Sequence, residues 1–309
     1  MEIKKITIIG FGSVGSLYGS MLDASLGSNN VELLAKGERL ERYKKNGMII
    51  NEKQHFFNVV DPKDATPSDF VLLATKNLQI DEAVKDIKNS VGKNTIILSL
   101  LNGIESEEKL IAAYGKEKVL YAFCVGMSTE HIGNVTNFTS PGKIVFGEKN
   151  NEVSDRVKAV EALFDGAGIE YIVPSNIRKE QYNKFMLNTM FNTLSAITRG
   201  GYGVFNSTEL KELTHKVALE IIAVLEIEGV TLTEEDYQKD LDLMLGLDPY
   251  GRTSMCQDLM ASRKTENNWF AGTVVRLGKK HGIETPYNNA LYLIASGCEY
   301  RNEMMVNKN

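Results

Sequence analysis

Cysteine and histidine are scarce in this sequence and are scattered along it. The 309 residues include three cysteines and four histidines, and none of them stands at a spacing typical of metal ligands. An odd number of widely separated cysteines does not build a disulfide framework, and it fits a reducing compartment. We therefore expect no metal site and no disulfide-stabilised secreted fold.

Long apolar runs and an excess of positive charge are also missing. No stretch approaches the roughly 20 apolar residues of a membrane span, and the apolar run Ile3–Gly10 ends too soon to be a signal peptide. The net charge of −5 argues against a nucleic acid held through its phosphates. We expect a cytoplasmic protein with neither a membrane nor a nucleic acid as partner.

Short apolar runs alternate with helix-like segments in the first half of the chain. Continuous apolar runs are typical of strands covered on both faces, and strands that alternate with helices form a mostly parallel sheet. The predicted strands are Ile3–Gly10, Val31–Ala35, Phe70–Thr75, Thr95–Leu100, Val119–Gly126 and Tyr171–Val173. The predicted helices are 16–26, 81–90, 106–114 and 154–164. Predicted antiparallel additions near the sheet edge are Val135–Thr139 and Lys143–Phe146.

A glycine-rich turn joins the first predicted strand to the first predicted helix. In the pattern G-x-G-x-x-G, the glycines allow a tight turn, a close approach of backbone to a pyrophosphate, and close packing of helix on strand. The helix N-terminus then offers amide donors to the phosphates. The predicted dinucleotide site consists of Gly10, Phe11, Gly12, Ser13, Val14 and Gly15. A glycine-rich turn without a ligand is the alternative.

The residues after the second predicted strand bear on the choice of cofactor. An NAD site has Asp or Glu at this strand end, where it binds the ribose 2′-hydroxyl. Here Lys36 and Arg39 follow the strand, whereas Glu32 lies near its start. This pattern favours the 2′-phosphate of NADP, with Lys36 as its ligand. Solvated surface charges are the alternative, and Glu38 weakens the positive field.

Polar residues follow two other predicted strands. Lys76 follows Phe70–Thr75, and Asn102-Gly103 follows Thr95–Leu100. Ligands bind outside the carboxyl ends of strands in an open α/β sheet, so Lys76 and Asn102 are candidates for ligand contact. Asn-Gly is also a common turn pair, and a simple turn is the alternative.

After Pro174 strand-like runs disappear and amphipathic segments follow. The predicted helices are 178–198, 210–228, 234–244, 254–263, 267–280 and 287–299. We therefore predict an α/β protein with two domains. Residues 1–174 form a dinucleotide-binding, Rossmann-type domain with a parallel sheet, and residues 175–309 form an all-helical domain that binds substrate and carries the catalytic residue.

The first long helical segment carries a polar stripe. Lys184, Asn188 and Asn192 are spaced i, i+4 and i+8, so each is rotated by only about 40° from the one before it. The residues between them are mostly large and apolar, as on a buried helix. A lysine and two amides on such a helix need partners or a ligand. A stripe that merely faces solvent is the alternative.

A second polar set lies further along. Ser254 and Asp258 are helical neighbours, and Glu266 follows two turns later if the helix continues. Ser254 is also a candidate helix cap, and Arg263-Lys264 could pair with Glu266 at the surface. The sequence leaves both alternatives open.

These motifs together resemble the ketopantoate reductase (2-dehydropantoate 2-reductase) family. The resemblance spans nearly the whole chain, and each motif is short, but their combination and order are specific. The motifs are the glycine turn at 10–15, Lys76, Leu101-Asn102-Gly103, the Lys184–Asn188–Asn192 helix with Leu194–Ile197, Ser254-Met255 with Gln257-Asp258, Lys264–Glu266 and Gly282–Pro286.

The resemblance implies NADPH-dependent reduction of ketopantoate to pantoate, on the path to pantothenate and coenzyme A. It implies that Lys184 is the general acid and that Lys76 and Asn102 lie near the cofactor. The substrate-binding residues that it implies are Asn102, Asn188, Asn192, Ser254 and Glu266. The partner is then a small keto acid, and the oligomeric state stays open, with a homodimer as one assembly to test.

The chain departs from the family pattern at two informative positions. Lys36 stands where the family often has arginine, which keeps the charge but loses the bidentate fork. Tyr182 stands where tryptophan is frequent, two residues before the predicted acid. Two alternatives therefore stay open: a reductase or dehydrogenase of another small 2-keto or hydroxy acid, and a dinucleotide-sensing regulator without turnover.

Overall fold

The computed structural model describes residues 2–306, and these divide between Arg178 and Lys179 into two units. The first unit contains both helices and strands. The second contains helices and no strand among its described residues. An N-terminal Rossmann-type parallel-sheet region followed by a helical region is the fold that the sequence predicted, and this prediction is confirmed.

Residues 2–178, the described part of the first unit, contain twelve strands. They are β1 (Ile6–Ile9), β2 (Val31–Leu34), β3 (Met48–Ile50), β4 (Lys53–His55), β5 (Asn58–Val60), β6 (Ser68–Leu73), β7 (Val91–Ser99), β8 (Val119–Val125), β9 (Ser128–Ile132), β10 (Val135–Ser140), β11 (Lys143–Gly147) and β12 (Tyr171–Ile172).

Eight of these strands form one sheet in the order β12-β11-β8-β7-β6-β1-β2-β5. Neighbouring strands run parallel except β11, which pairs antiparallel with β8. The middle strands are continuously buried, and all four residues of β1 are inaccessible to solvent or nearly so. This burial explains why they read as uninterrupted apolar runs in the sequence.

Helices cover both faces of the large sheet. Those of the first unit are α1 (Ser13–Leu26), α2 (Gly37–Asn46), α3 (Ile80–Asp86), α4 (Ser106–Tyr114) and α5 (Asp155–Ala167). Alternate residues of β1 point to opposite faces, so Ile8 packs with Leu17 of α1, whereas Ile9 packs with Ile80 of α3. The predicted helix 81–90 is shorter than expected, because single 3₁₀ turns flank α3.

A second, four-stranded sheet in the order β4-β3-β10-β9 was not expected from the sequence. The prediction that Val135–Thr139 adds to the main sheet edge is wrong, since β10 pairs with β9 and β3 instead. The companion prediction for Lys143–Phe146 is confirmed by its antiparallel pairing with β8. The difference has a physical basis: β11 is almost wholly buried, whereas β10 has alternating exposure and fits a half-solvated sheet.

The second unit is built from helices, and α6 begins just before the division between the units. These helices are α6 (Ile177–Leu187), α7 (Thr193–Thr198), α8 (Thr208–Ile227), α9 (Glu234–Leu245), α10 (Ser254–Met260), α11 (Ala271–His281) and α12 (Pro286–Val306). A π-helical turn, Asn188–Asn192, separates α6 from α7. Across residues 2–306, no helix combines the length and the apolar character needed to cross a membrane.

Candidate active site

The carboxyl ends of four neighbouring strands lie side by side in the large sheet. Strand register pairs Ile9 with Leu34 on one side and with Leu73 on the other, and Leu73 with Ser99. The segments that follow these residues therefore leave the sheet at one common edge. They are the segments that carry the glycine turn, Lys36, Lys76 and Asn102.

Each glycine of the turn has a different environment. Gly10 has φ of +87°, and a Cβ there would lie 2.4 Å from the backbone nitrogen of Thr75. A Cβ on Gly15 would lie 1.9 Å from the carbonyl oxygen of Gly10. Around Gly12, by contrast, no atom beyond Gly12 itself and its two chain neighbours lies within 4 Å of the Cβ position. The turn is thus closed where strand and helix must touch and open where backbone would meet a pyrophosphate, so a dinucleotide fits it.

The start of α1 suits an anionic ligand. Gly12 stands at the N-cap and provides no side-chain cap, and the first turn contains no acidic residue. The amides of Ser13 and Val14 therefore depend on other acceptors, as at helix N-termini that bind phosphate. Phe11 can offer only its backbone to a ligand, because its ring is buried and the ring centroids of Phe11 and Phe57 are 4.6 Å apart.

Lys36 stands at the N-cap of α2, next to the carboxyl end of β2. Its ammonium nitrogen lies 2.6 Å from a carboxylate oxygen of Glu82 and 2.9 Å from one of Asp86. Hydrogen bonds with Glu82 and then Asp86 raise the pKa of Lys36 above its usual range. The sequence showed no sign of this pairing, since the partners follow about 50 residues later.

Glu32, which the sequence placed away from the cofactor edge, is the second residue of β2. Its carboxylate lies 2.9 Å from the ammonium of Lys5. The carboxylate of Glu32 is thus not at the carboxyl end of β2, and the charged residue that follows this end is Lys36.

Asn102 lies in a loop that is held in place by hydrogen bonds among buried polar groups. The Asn77 side chain donates to the Asn102 carbonyl at 2.7 Å. The Ser99 hydroxyl donates to the Ser106 hydroxyl at 2.9 Å, and the Ser106 hydroxyl donates to the Glu107 carboxylate at 3.0 Å. Glu107 is completely buried. Buried, bonded groups of this kind hold a loop in one conformation. Lys76 is exposed and precedes the 3₁₀ turn that contains Asn77.

In the second unit, the predicted stripe Lys184–Asn188–Asn192 begins on α6 and continues through the π-helical turn. Asn188 and Asn192 are each 7% exposed and Lys184 is half-buried, so the stripe is not a solvent-facing surface. The Asn192 amide donates to the Asn188 side-chain oxygen at 3.2 Å. A π-turn winds more slowly than an α-turn and offsets the angular drift of an i, i+4, i+8 series. Such turns are frequent at functional sites.

Ser254 is the first residue of α10 and is exposed. The helix cap is Thr253, whose hydroxyl accepts from the amide of Cys256, so Ser254 does not serve as the cap. α10 packs against the π-helical turn and α7, which places the Ser254 helix next to the asparagines.

The helix that begins at Ser254 does not continue to Glu266. α10 ends at Met260, where Ser262 adopts the left-handed conformation and the amide of Arg263 bonds the carbonyl of Asp258, a Schellman ending. Glu266 instead precedes a 3₁₀ turn and is 8% exposed.

The two cations beside Glu266 bind other acids, contrary to the surface-pairing alternative. Arg263 binds Asp258 at 2.8 Å, and Lys264 lies 2.7 Å from Glu303. Because Arg263 and Lys264 bind other acids, the buried carboxylate of Glu266 remains a candidate for substrate contact.

Sequence reasoning missed a buried carboxyl group beside the polar stripe. Asp240 on α9 is 4% exposed, and its carboxylate accepts from the Asn183 side chain at 3.0 Å. Burial raises the pKa of Asp240 to about 7, and the negative charges of Asp236 and Glu180 add to the effect. The polar residue Asn183, directly before Lys184, was the only feature of the sequence that pointed to a buried polar partner here.

Comparison with known proteins bears on the whole chain. The family model described as ketopantoate reductase PanE/ApbA matches residues 6–151, and the model of its C-terminal part matches residues 176–299. A 2-dehydropantoate 2-reductase of Aquifex aeolicus is 27% identical over an alignment of 310 positions that spans 97% of this chain and 98% of that protein.

Solved structures share the fold. A PanE/ApbA family ketopantoate reductase of Ralstonia eutropha JMP134 has a TM-score of 0.84 at 26% identity and covers 97% of this chain and 99% of that one. A D-mandelate dehydrogenase solved with NADH and anilino(oxo)acetate has a TM-score of 0.86 at 24% identity, with the same coverage. The chain belongs to the ketopantoate reductase PanE/ApbA family of oxidoreductases.

Proposed function

We propose that this protein reduces a small 2-keto acid with a nicotinamide dinucleotide, and that ketopantoate is its substrate and NADPH its preferred cofactor. The observation that carries the proposal is the glycine turn, where Gly10 and Gly15 are closed to a Cβ and Gly12 is open. Family membership supports the reaction class. Lys36 and the exposed Arg39 support the preference for a 2′-phosphate.

Lys184 is the proposed general acid. When bound, the reduced nicotinamide supplies the hydride. Negative charge then develops on the carbonyl oxygen of the substrate, and an ammonium can stabilise that charge and donate the proton. The ammonium group of Lys184 can do both, stabilising the charge and donating the proton. Two buried amide side chains follow it on the same helical segment.

The remaining polar residues are proposed to bind the substrate. The bond between Asn192 and Asn188 leaves the Asn188 amide group and the Asn192 oxygen to meet substrate oxygens and hydroxyls. Ser254 and Asn102 supply further neutral donors. The buried Glu266 is proposed to accept from a substrate hydroxyl, which ketopantoate has and simple keto acids lack.

Two alternatives are tested together with this proposal. Another small 2-keto or hydroxy acid is the first, favoured by Tyr182, which departs from the family pattern beside the proposed acid. A dinucleotide sensor without turnover is the second. The burial of the asparagine stripe disfavours it, because a sensor needs neither a proton donor nor buried amides beside one.

The decisive experiment follows the absorbance of NADPH in the presence of ketopantoate, pyruvate or phenylglyoxylate, with Lys184→Ala as the inactive control. We expect oxidation of NADPH to be fastest with ketopantoate. Faster turnover of either other keto acid would assign a different substrate. Cofactor binding without turnover of any of them would favour the sensor.

The biological setting belongs to the same proposal. A protein that makes pantoate would act in pantothenate and coenzyme A synthesis in the cytoplasm. Sedimentation of the purified chain tests the homodimer.

A further inference from the structure

The ion-paired state of Lys36 bears directly on how a ribose would be recognised. Both partners approach the same ammonium, Glu82 at 2.6 Å and Asp86 at 2.9 Å. The side chains of Lys36 and Glu82 are about half exposed, whereas Asp86 is 18% exposed. Lys36, Glu82 and Asp86 by themselves therefore carry one more negative charge than positive charge.

The fold explains why these two acids reach Lys36. α3 packs through Ile80 and Ala83 into the same cluster as Ile9 and Leu34, the last residues of β1 and β2. Glu82 and Asp86 are spaced i, i+4 and so share one side of α3. That side lies at the sheet edge where the glycine turn and Lys36 emerge.

Not every acid of α3 takes part. Asp81 is turned to another side of the helix and pairs with Lys109. Cations near the cluster are Arg39 and Lys85, each of which interacts electrostatically with Glu82.

The two possible ribose groups place opposite demands on this cluster. A 2′-phosphate must displace the carboxylates from Lys36 and remain near them, which is unfavourable between like charges. A 2′-hydroxyl can donate to a carboxylate, as it does to the acid at the strand end of NAD sites. The pairing thus weakens the contact that favours NADP and offers acceptors that favour NAD.

We propose that Glu82 and Asp86 are specificity-determining residues that reduce the preference of this protein for NADPH over NADH. Both hold Lys36 away from a 2′-phosphate, and both provide carboxylate oxygens for a 2′-hydroxyl. This inference rests on the proposed dinucleotide site, and it places the acid that the end of β2 lacks on α3.

The test measures dissociation constants of NADPH and NADH by fluorescence titration, without keto acid. The variants are Glu82→Gln, the double variant Glu82→Gln/Asp86→Asn, and Asp81→Asn as a matched control on the same helix. Removal of both ion pairs should tighten NADPH binding about tenfold in the double variant, and removal of the Glu82 pair alone should tighten it about threefold in Glu82→Gln. NADH should bind no more tightly, and Asp81→Asn should change either constant less than about twofold.

Three results would overturn the inference. They are no change in either dissociation constant in both variants, an equal gain for both cofactors, and an effect of Asp81→Asn as large as that of Glu82→Gln, which would show that only the general electrostatic field matters. Because Glu82 is exposed, Glu82→Gln keeps the test valid even where Asp86→Asn impairs folding.

Binding of 2′,5′-ADP and 5′-AMP, followed by calorimetry, gives a second readout confined to the ribose phosphate. The double variant should gain affinity for 2′,5′-ADP alone, and an equal gain for 5′-AMP would contradict the inference. A wild-type protein that binds neither NADPH nor NADH would instead refute the proposed function, and the inference with it.

Discussion

Gly12 and Gly15 stand three residues apart, yet their surroundings predict opposite consequences of the same substitution. Gly12→Ala adds a methyl group to open space, so the free energy of unfolding should change by less than about 0.5 kcal/mol. The affinity for NADPH should nevertheless fall at least about tenfold, because that space is where a pyrophosphate would approach. Denaturant titration and cofactor titration of the same variant check the two halves of this prediction.

Gly15→Ala serves as the contrast. Its Cβ would overlap the Gly10 carbonyl oxygen, so the variant should lose about 1–3 kcal/mol of stability. Normal NADPH binding by Gly12→Ala would show that the turn holds no pyrophosphate.

Lys184 carries the proposed proton transfer. Loss of a donor at a site of developing charge lowers kcat by about 10²–10³, so Lys184→Ala should reduce kcat for ketopantoate at least about a hundredfold and barely alter the dissociation constant of NADPH. Lys184→Arg keeps the charge but is a poor proton donor, and should rescue KM more than kcat.

Lys179→Ala is the matched control for Lys184, because Lys179 lies on the same helix and pairs with Asp236 at 3.1 Å. Its kcat should stay within about twofold of wild type. Near-normal turnover by Lys184→Ala would move the search for the donor to Lys76.

At the scale of elements, the ending of α10 decides where Glu266 lies. The Schellman turn leads into a segment fastened to α12, where the Thr265 amide donates to Glu299 at 2.9 Å. Glu266→Ala should therefore leave the fold intact and raise KM for ketopantoate about 10- to 100-fold. A keto acid without the hydroxyl should be affected much less.

Lys264→Ala provides the comparison for Glu266. Lys264 pairs with Glu303, so its loss should leave both KM values unchanged. Equal losses for both substrates in Glu266→Ala would identify Glu266 as a structural residue.

The contact between α9 and α6 should make stability depend on pH. The folded-state pKa of Asp240 is about 7, above the 3.8 of an unperturbed aspartate, so the stability contributed by the neutral carboxyl is complete below about pH 4 and lost as pH rises through about 7. Asp240→Asn removes this loss and still accepts from Asn183. It should raise the free energy of unfolding by about 2 kcal/mol at pH 8 and change it little at pH 4.

Denaturant titrations at the two pH values measure the Asp240 effect. Asp242→Asn is the control, because Asp242 is exposed on the same helix and bonded to Gln238. A gain of equal size at pH 4 would show that the carboxyl is not the titrating group.

At the scale of the whole molecule, a cofactor should stabilise the first unit selectively. NADPH at about 100 times its dissociation constant would raise the free energy of unfolding of the region that binds it by about 2.7 kcal/mol. Hydrogen exchange should therefore slow in peptides that contain β1 and β6. Gly12→Ala should reduce the slowing at the same NADPH concentration, and unchanged exchange in wild type at saturating NADPH would contradict the assignment of the turn.

The sequence alone determined the features that depend on residues near one another in the chain. Apolar runs and the spacing of Gly10, Gly12 and Gly15 predicted the parallel sheet, the turn and the cofactor class, because strand burial and turn geometry are local constraints. The polar stripe from Lys184 to Asn192 was visible for the same reason, since helical periodicity relates residues a few positions apart.

Only the tertiary structure decided the features that depend on residues far apart. Lys36 meets Glu82 and Asp86 because α3 packs across the ends of β1 and β2, and no local pattern records that approach. The small sheet joins β3 to β10 across more than 80 residues, and Asp240 faces Asn183 across 57. Such pairs form when buried surfaces come together, so the charge environment of a site follows from packing and not from the order of residues.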